Sequence, residues 1–182
     1  MKGWHGNSHK HSLASRGIQT KQQYYLSRGE EKLEINGLSL SRDFEKHKET
    51  IHEWAFDEEL SKDESSENAS IKIELMEYKE YDKLKDVRLL EHNGNLVGFI
   101  EYRDYFPDDD KKVIYLEEIF IHPDFRKTGL GVTALRLAFG ESGAGRMRGN
   151  SLHQSVEFWR KLGAYVNPIE VQGKRTFVVD YN

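Results

Sequence analysis

Two glycines one residue apart, with two cations just before them, are the residues in this sequence whose types and spacing first suggest a chemistry. Arg126 and Lys127 precede Gly129 and Gly131, and residues 132–139 return to helical spacing. Glycine lets the backbone approach a ligand closely, and successive amides of such a loop can point the same way. The first turn of a helix adds unpaired N–H groups and the positive end of the helix dipole. The segment therefore predicts a binding site for a phosphate or pyrophosphate group.

A strand has to position this loop. Residues 113–121 are rich in β-branched and aromatic side chains, which predicts a buried strand. Pro123 ends it, because proline has no N–H to donate to the next position of a ladder. The loop lacks the Gly-Lys-Ser/Thr ending of a P-loop, and it is not the three-glycine fingerprint of dinucleotide-binding proteins.

The Arg-x-x-Gly-x-Gly loop between a strand and a helix resembles the signature of the GNAT acyltransferase superfamily. Residues 157–164 resemble the late helix and turn of that family, and residues 115–121 are similar to its diamine (polyamine) acetyltransferase branch. The resemblance covers residues 71–181. It implies an α/β fold of the α+β-like kind: a mixed, mostly antiparallel sheet with helices on both faces, plus an irregular N-terminal extension.

The resemblance also implies acetyl-CoA as the acyl donor, bound mostly through main-chain groups and without a metal. Its pantetheine arm would pair with the strand, and its pyrophosphate would rest on the loop amides. The residues implied in binding are Ile119, Phe120, Ile121, Arg126, Lys127, Thr128, Gly129, Leu130, Gly131, Val132 and Trp159.

Acetyl transfer to an amine needs a base, and the resemblance assigns that role to Glu117 by its spacing from Arg126. Strand alternation puts Glu118 on the opposite face, where it either contacts the substrate or is a solvated carboxylate. Trp159 occupies the place of the tyrosine that would protonate the departing thiolate, and an indole cannot release that proton. Tyr165, Tyr115 or solvent are the alternatives for this step, and His153 is a second candidate for proton transfer.

Composition limits the other function classes. The chain has 182 residues, enough for one good core plus an extension, with 37% hydrophobic and 32% charged residues. Its net charge of −4 predicts no general affinity for nucleic acid or anionic membranes, and no apolar run approaches spanning length, so we expect a cytoplasmic protein. The sequence contains no cysteine, which favours direct attack by a primary amine in a ternary complex over a thioester intermediate.

The predicted division is a basic N-terminal extension or arm, residues 1–30, followed by a single acetyltransferase domain, residues 31–182, with its motifs in residues 71–181. Two alternative functions stay open. One is a CoA-binding regulatory or interaction module with weak catalysis or none. The other is a macromolecule-modifying acetyltransferase that docks an acidic protein or, with weaker support, nucleic acid through the arm. The acceptor is then a small-molecule or protein amine, no membrane is involved, and a homodimer is compatible with the sequence.

Hydrophobic spacing and turn residues predict the remaining elements. Before the glycine loop they are a short strand in residues 33–40 interrupted by an Asn36-Gly37 turn, a helix in 43–60, a loop in 61–70, and strands in 71–78, 87–91 and 96–105 with an Asn93-Gly94 turn. After the loop they are a short, exposed or displaced strand near Met147, a helix through 152–162 capped by Asn150 or Ser151, and closing strands in 165–167 and 176–181. This order departs from the family, which places one or two helices between the first strand and the hairpin. Either the helix has moved ahead of the first strand, to residues 43–60, or residues 33–40 form the first strand and residues 71–78 an extra one.

Overall fold

The computed structural model describes residues 33–62, 67–108 and 111–181. Within them eight strands form one sheet in the order β1-β2-β3-β4-β5-β6-β8-β7. All neighbouring strands are antiparallel except β5 and β6, which are parallel. The strands are β1 (Glu34–Ile35), β2 (Leu38–Ser41), β3 (Val87–His92), β4 (Asn95–Asp108), β5 (Lys111–Ile121), β6 (Arg146–Leu152), β7 (Tyr165–Val166) and β8 (Lys174–Asp180).

Helices cover both faces of this sheet. They are α1 (Lys48–Ala55), α2 (Glu58–Lys62), α3 (Glu67–Glu77), α4 (Leu130–Ser142) and α5 (Val156–Lys161), with short 3₁₀ turns between some elements. One hydrophobic core joins α4 and α5 to the sheet, and Leu137 and Met147 are fully buried in it. A second core lies under α1 and α3 on the other face, around Ile73 and Phe99. The predicted fold class, a mixed and mostly antiparallel sheet with helices on both faces, is confirmed.

The strand–loop–helix prediction is also confirmed, since β5 ends at Ile121 and α4 begins at Leu130. The predicted Asn-Gly hairpin joins β3 to β4, and Asn93 and Gly94 have positive φ angles of 51° and 85°. Residues 1–30, and with them the predicted arm, lie outside the described part of the chain. No helix in the described ranges combines the length and hydropathy that crossing a membrane requires.

The strand predicted for residues 71–78 is wrong, because these residues lie mostly in α3. Ile71, Ile73 and Leu75 alternate with polar residues, but the buried positions follow helical spacing instead: Ala69, Ile73 and Met76 are buried and Ile71 is 56% exposed. The same helix occupies residues 67–70, which were predicted to belong to a loop.

The single helix predicted for residues 43–60 is interrupted. A 3₁₀ turn, Glu45–His47, precedes α1, and the chain leaves α1 at Phe56 before α2 begins. The Oδ1 of Asp57 accepts hydrogen bonds from the amides of Glu59 and Leu60 and so caps α2. The three helices α1 to α3 therefore stand between the β1–β2 hairpin and the β3–β4 hairpin, so the predicted departure from the family order is wrong.

The strand predicted near Met147 is neither short nor exposed. β6 has seven residues and lies between β5 and β8, with Met147 0% and Ser151 1% exposed. Asn150 and Ser151 belong to this strand, so the prediction that they cap the following helix is wrong. Small residues, Gly149 and Ser151, fill the tight space in this part of the sheet. Hydrophobic content alone therefore underestimates the length and the burial of the strand.

Candidate active site

The parallel strands β5 and β6 separate partway along their length. Their pairing runs from Val113 opposite Arg146 to Leu116 opposite Gly149 and ends there. Beyond this point β5 continues to pair with β4 up to Ile121, and β6 continues to pair with β8 up to Leu152. The facing edges of β5 and β6 therefore open into a wedge, where the backbone groups of β5 can pair with an extended ligand.

Glycine is required where the strands separate. A Cβ atom on Gly149 would lie 2.8 Å from the carbonyl oxygen of Leu116 and 2.8 Å from the ring of Phe177. On the other side of β5, a β-bulge shifts the register so that Glu118 faces Glu101 while Leu116 faces Tyr102. The bulge leaves Glu117 as the extra residue and aligns Glu118 with Phe120 on the face that carries α1 and α3.

The wedge contains a cleft of about 190 Å³. Its walls come from β5, from the divergent end of β6, from the start of β8 and from α5. The lining residues are Tyr115, Leu116, Glu117, Glu118, Ile119, Asn150, Ser151, Leu152, Ser155, Phe158, Trp159 and Lys174. The strand and the late helix that the sequence singled out therefore meet at one site.

The glycine loop is held by local hydrogen bonds between the end of β5 and the start of α4. The Nε of Arg126 donates to the carbonyl of Ile121 at 2.9 Å, and the hydroxyl of Thr128 donates to the carbonyl of Phe125 at 2.6 Å. Lys127 and Gly129 adopt left-handed conformations with φ of 63° and 87°. At Gly129 this conformation costs little because glycine has no Cβ. Arg126 thus braces the loop, while Lys127 is exposed beside it.

The amides at the start of α4 are available to a ligand. The first hydrogen bond of the helical ladder runs from the amide of Thr133 to the carbonyl of Gly129 at 3.2 Å. The N–H groups of Leu130, Gly131 and Val132 precede it and have no acceptor within the helix. A Cβ atom on Gly131 would contact only the ring of Phe158, at 3.7 Å. The helix start therefore offers a free set of donors with the dipole's positive end behind them.

The two neighbouring glutamates differ in environment. The Oε1 of Glu117 accepts a hydrogen bond from the Nε of Arg103 at 2.7 Å, and both side chains are well exposed. Burial, and to a smaller extent Glu101, raise the pKa of Glu118 to about 7 against the opposing effect of Lys72 and Lys174. Glu101 itself is paired with Lys72 at 2.9 Å. Glu118 is thus a carboxyl group in the cleft that exchanges its proton near neutral pH.

The remaining sequence candidates lie apart from these carboxylates or in the core. Trp159 is 3% exposed and stacks on Phe177 with ring centroids 3.7 Å apart, so one edge of it forms the cleft wall. His153 is exposed, with its Nδ1 3.3 Å from Glu170, and Tyr165 is 67% exposed on β7. Neither is among the residues that line the cleft.

Sequence reasoning missed several residues of the cleft. Asn150, Ser155 and Lys174 reach it from β6, the turn before α5 and β8, while Glu101 influences it from β4. Only the registers of β4 with β5 and of β6 with β8 bring these residues together. The sequence signals a turn before Lys174, but nothing in the sequence signals its place in the cleft.

Comparisons with known proteins agree with this geometry. The sequence matches the model of the Acetyltransferase (GNAT) family over residues 47–164. An acetyltransferase from Thermus thermophilus is 21% identical and has a TM-score of 0.58, covering 81% of this chain and 100% of that chain. A GNAT-family acetyltransferase from Bacillus anthracis has the same TM-score at 14% identity, covering 81% of this chain and 96% of that chain.

A third structure, a GNAT-family acetyltransferase from Listeria monocytogenes, is 16% identical with a TM-score of 0.53, covering 82% of this chain and 99% of that chain. These structural similarities show the shared fold. The comparison with curated proteins gave no significant match. The family match spans more than half of the sequence and includes the wedge between β5 and β6, the glycine loop and all of α5. The chain therefore belongs to the GNAT family of acetyltransferases.

Proposed function

We propose that this protein is an acetyl-CoA-dependent N-acetyltransferase that moves an acetyl group to a primary amine by direct attack in a ternary complex. The observation that carries the proposal is the wedge between β5 and β6, whose cleft is lined by Glu118 and whose strand β5 leads into the glycine loop. Family membership supports acetyl transfer as the reaction class, and the residues that line the cleft are the candidates for carrying it out.

The donor side of the cleft fits acetyl-CoA. The open edge of β5 at Ile119, Phe120 and Ile121 can pair with the amides of a pantetheine arm as if with an added strand. The free N–H groups at the start of α4, together with Lys127, suit a pyrophosphate. Gly131 leaves room for it, because only Phe158 lies near the missing side chain. When bound, the thioester supplies the acetyl group.

Glu118 serves as the proton acceptor in this proposal. An amine attacks only when neutral, so the carboxylate takes a proton from the acceptor, directly or through water, as the C–N bond forms and the C–S bond breaks. A pKa near 7 matches this work, since a base is most effective when its pKa lies near the working pH. We assign this role to Glu118 rather than Glu117, because Glu117 is exposed and already paired with Arg103.

The departing thiolate needs a proton, and Trp159 has no hydroxyl to give one. Tyr115 lines the cleft, and burial raises the pKa of its phenol, which keeps it protonated at neutral pH. We propose Tyr115 for this step in place of Tyr165 and His153, which lie outside the cleft wall.

Calorimetric titration with acetyl-CoA tests the donor site. Gly131→Glu places a carboxylate where the pyrophosphate would lie, and we expect binding to weaken at least about a hundredfold, which corresponds to about 2.8 kcal/mol. Gly145→Glu is the matched control. It follows the opposite end of α4, about 20 Å away along the helix, and its Cβ would contact only the side chain of Lys111 at 3.7 Å.

The control variant should bind acetyl-CoA like the unchanged protein, and thermal unfolding of both variants checks that they fold. Absence of acetyl-CoA binding by the unchanged protein would overturn the proposed function. Binding without release of free thiol in the presence of any amine would favour the alternative of a CoA-binding module without catalysis.

A further inference from the structure

Within the described residues, α4 and α5 pack on one face of β6, β8 and β7, while β5 contributes to the cores on both faces of the sheet. Met147 and Phe177 pack against α4 and α5 in the first core. The strand registers place Tyr115, Arg148 and Val178 side by side on the other face, and neither hydrophobic core includes them. This face, called the open face below, adjoins the cleft through Tyr115.

The cleft is too small to enclose a large acceptor. Its volume of about 190 Å³ lies below the about 300–1,000 Å³ of pockets that enclose a drug-sized ligand. The reacting end of the acceptor fits inside, while the atoms beyond it reach the mouth of the cleft. The side chains at the mouth therefore decide which substituent on the amine is accepted.

Lys174 is a cation at this mouth. It begins β8 opposite Leu152, and both residues line the cleft. Strand alternation places its side chain on the open face, since Phe177 points into the core. The side chain is exposed, and within residues 33–62, 67–108 and 111–181 its ammonium makes no ion pair. An anionic group on the acceptor would satisfy it.

Neighbouring cations differ from Lys174 because they already have carboxylate partners. Lys72 is paired with Glu101 at 2.9 Å, and Arg103 is paired with Glu117 at 2.7 Å. Lys174 and Glu118 then remain facing the same cavity, close enough for their charges to interact. A carboxyl and an ammonium on one cleft wall complement a ligand that carries both an amine and an anion.

We propose that the acceptor is a primary amine with a carboxylate a few bonds from the reacting nitrogen, recognised by Lys174 while Glu118 receives the amine. This assignment rests on the acetyltransferase function proposed above. A diamine would instead bring its second ammonium towards Lys174, and the like charges repel. The proposed substrate class therefore differs from the polyamine-like cation that the similarity of residues 115–121 to diamine acetyltransferases suggests.

Two matched series of amines test the proposal: propylamine, 1,3-diaminopropane and β-alanine, and then pentylamine, cadaverine and 5-aminopentanoate. Within each series, the chain length is constant and the terminal group is methyl, ammonium or carboxylate. The kcat/KM values with saturating acetyl-CoA are compared at equal concentrations of free amine. We expect the carboxylate to exceed the diamine by at least about tenfold in one of the series, the size of one charged contact.

The variants Lys174→Gln and Lys174→Glu complete the experiment, with Lys161→Glu as a control of equal charge change at the exposed end of α5. The first should bring the carboxylate and diamine rates together, and the second should reverse their order. The control should preserve the preference of the unchanged protein.

Each alternative result has a defined meaning. Preference of the unchanged protein for diamines, or an equal response to Lys174→Glu and Lys161→Glu, overturns the acceptor assignment and leaves the acetyltransferase function standing. Turnover of polypeptide amines alone, independent of Lys174, also overturns it. Failure to bind acetyl-CoA together with no turnover of any amine overturns the proposed function and this assignment with it.

Discussion

Replacing Glu118 with glutamine should stabilise the protein at alkaline pH while it removes the proposed base. Burial, reinforced by Glu101, raises the pKa of Glu118 from 4.5 to about 7. Because the folded pKa is higher than the unfolded one, the carboxyl's contribution to stability is fully present below pH 4.5 and is lost as the pH rises through 7. At about 1.4 kcal/mol per pH unit, the difference between the folded and unfolded pKa corresponds to a loss of roughly 3 kcal/mol in the free energy of unfolding at pH 8.5.

Denaturant unfolding at two pH values measures this effect. At pH 8.5 Glu118→Gln should have a free energy of unfolding higher than that of the unchanged protein by up to about 3 kcal/mol, and at about pH 4, below the unfolded pKa, the two should be nearly equal. Glu117→Gln is the matched control. Its carboxylate is exposed and paired with Arg103, so its loss should change stability by less than about 1 kcal/mol at both pH values.

The same variants report on catalysis. Expressed per concentration of neutral amine, which removes the effect of the amine's own protonation, the kcat/KM of the unchanged protein should fall about tenfold per pH unit below pH 7, as Glu118 becomes protonated. Glu118→Gln should lose this dependence and about 10²–10⁴ of the rate. The reasoning is refuted if Glu118→Gln destabilises the protein equally at both pH values, or if the acidic fall in rate persists in it.

Two further predictions concern stability. A Cβ atom on Gly98 would lie 2.1 Å from the carbonyl oxygen of Phe120, so Gly98→Ala should push β4 away from β5 and lower the free energy of unfolding by about 1–3 kcal/mol. Thermal unfolding measures this loss. Gly145→Ala is the control and should change stability by less than about 0.5 kcal/mol. Glu91 is 2% exposed and its Oε2 lies 2.7 Å from the Nζ of Lys46, so Lys46→Met should cost about 1–3 kcal/mol in urea unfolding. The exposed Lys48→Met is its control, and an equal loss in both variants would contradict the importance of the Glu91 contact.

Local patterns in the sequence were sufficient for the centre of the fold. The β-branched residues 113–121, the glycines of the loop and the Asn93-Gly94 turn each specify their own conformation, and each prediction is confirmed. The predictions that were wrong, for residues 71–78 and for β6, have physical explanations. Ile71, Ile73 and Leu75 satisfy the period of a strand, but the tertiary core selects Ala69, Ile73 and Met76 as one helical face. Around β6 the requirement is for small residues such as Gly149, which carry no hydrophobic signal.

The candidate site was less accessible to sequence reasoning than the fold. The glycine loop is continuous in the chain, so its spacing alone indicates an anion site. The electrostatics of Glu118 depend instead on Glu101, Lys72 and Lys174, which come from β4, α3 and β8. The bulge in β5 decides that Glu118 rather than Glu117 shares a face with Glu101, and one residue of register separates the two outcomes.

The two hydrophobic cores draw on different parts of the chain, and this separation affects how such a protein can evolve. The core under α1 and α3 uses only residues between Phe44 and Phe120, all of which precede the glycine loop. The other core, which supports the loop helix, collects residues from Leu38 to Val179. Substitutions in α1 to α3 that do not touch the first core should have effects on stability that add independently of changes around the loop. The part of the chain before the glycine loop can therefore accumulate changes while the core that supports the loop helix is inherited unchanged.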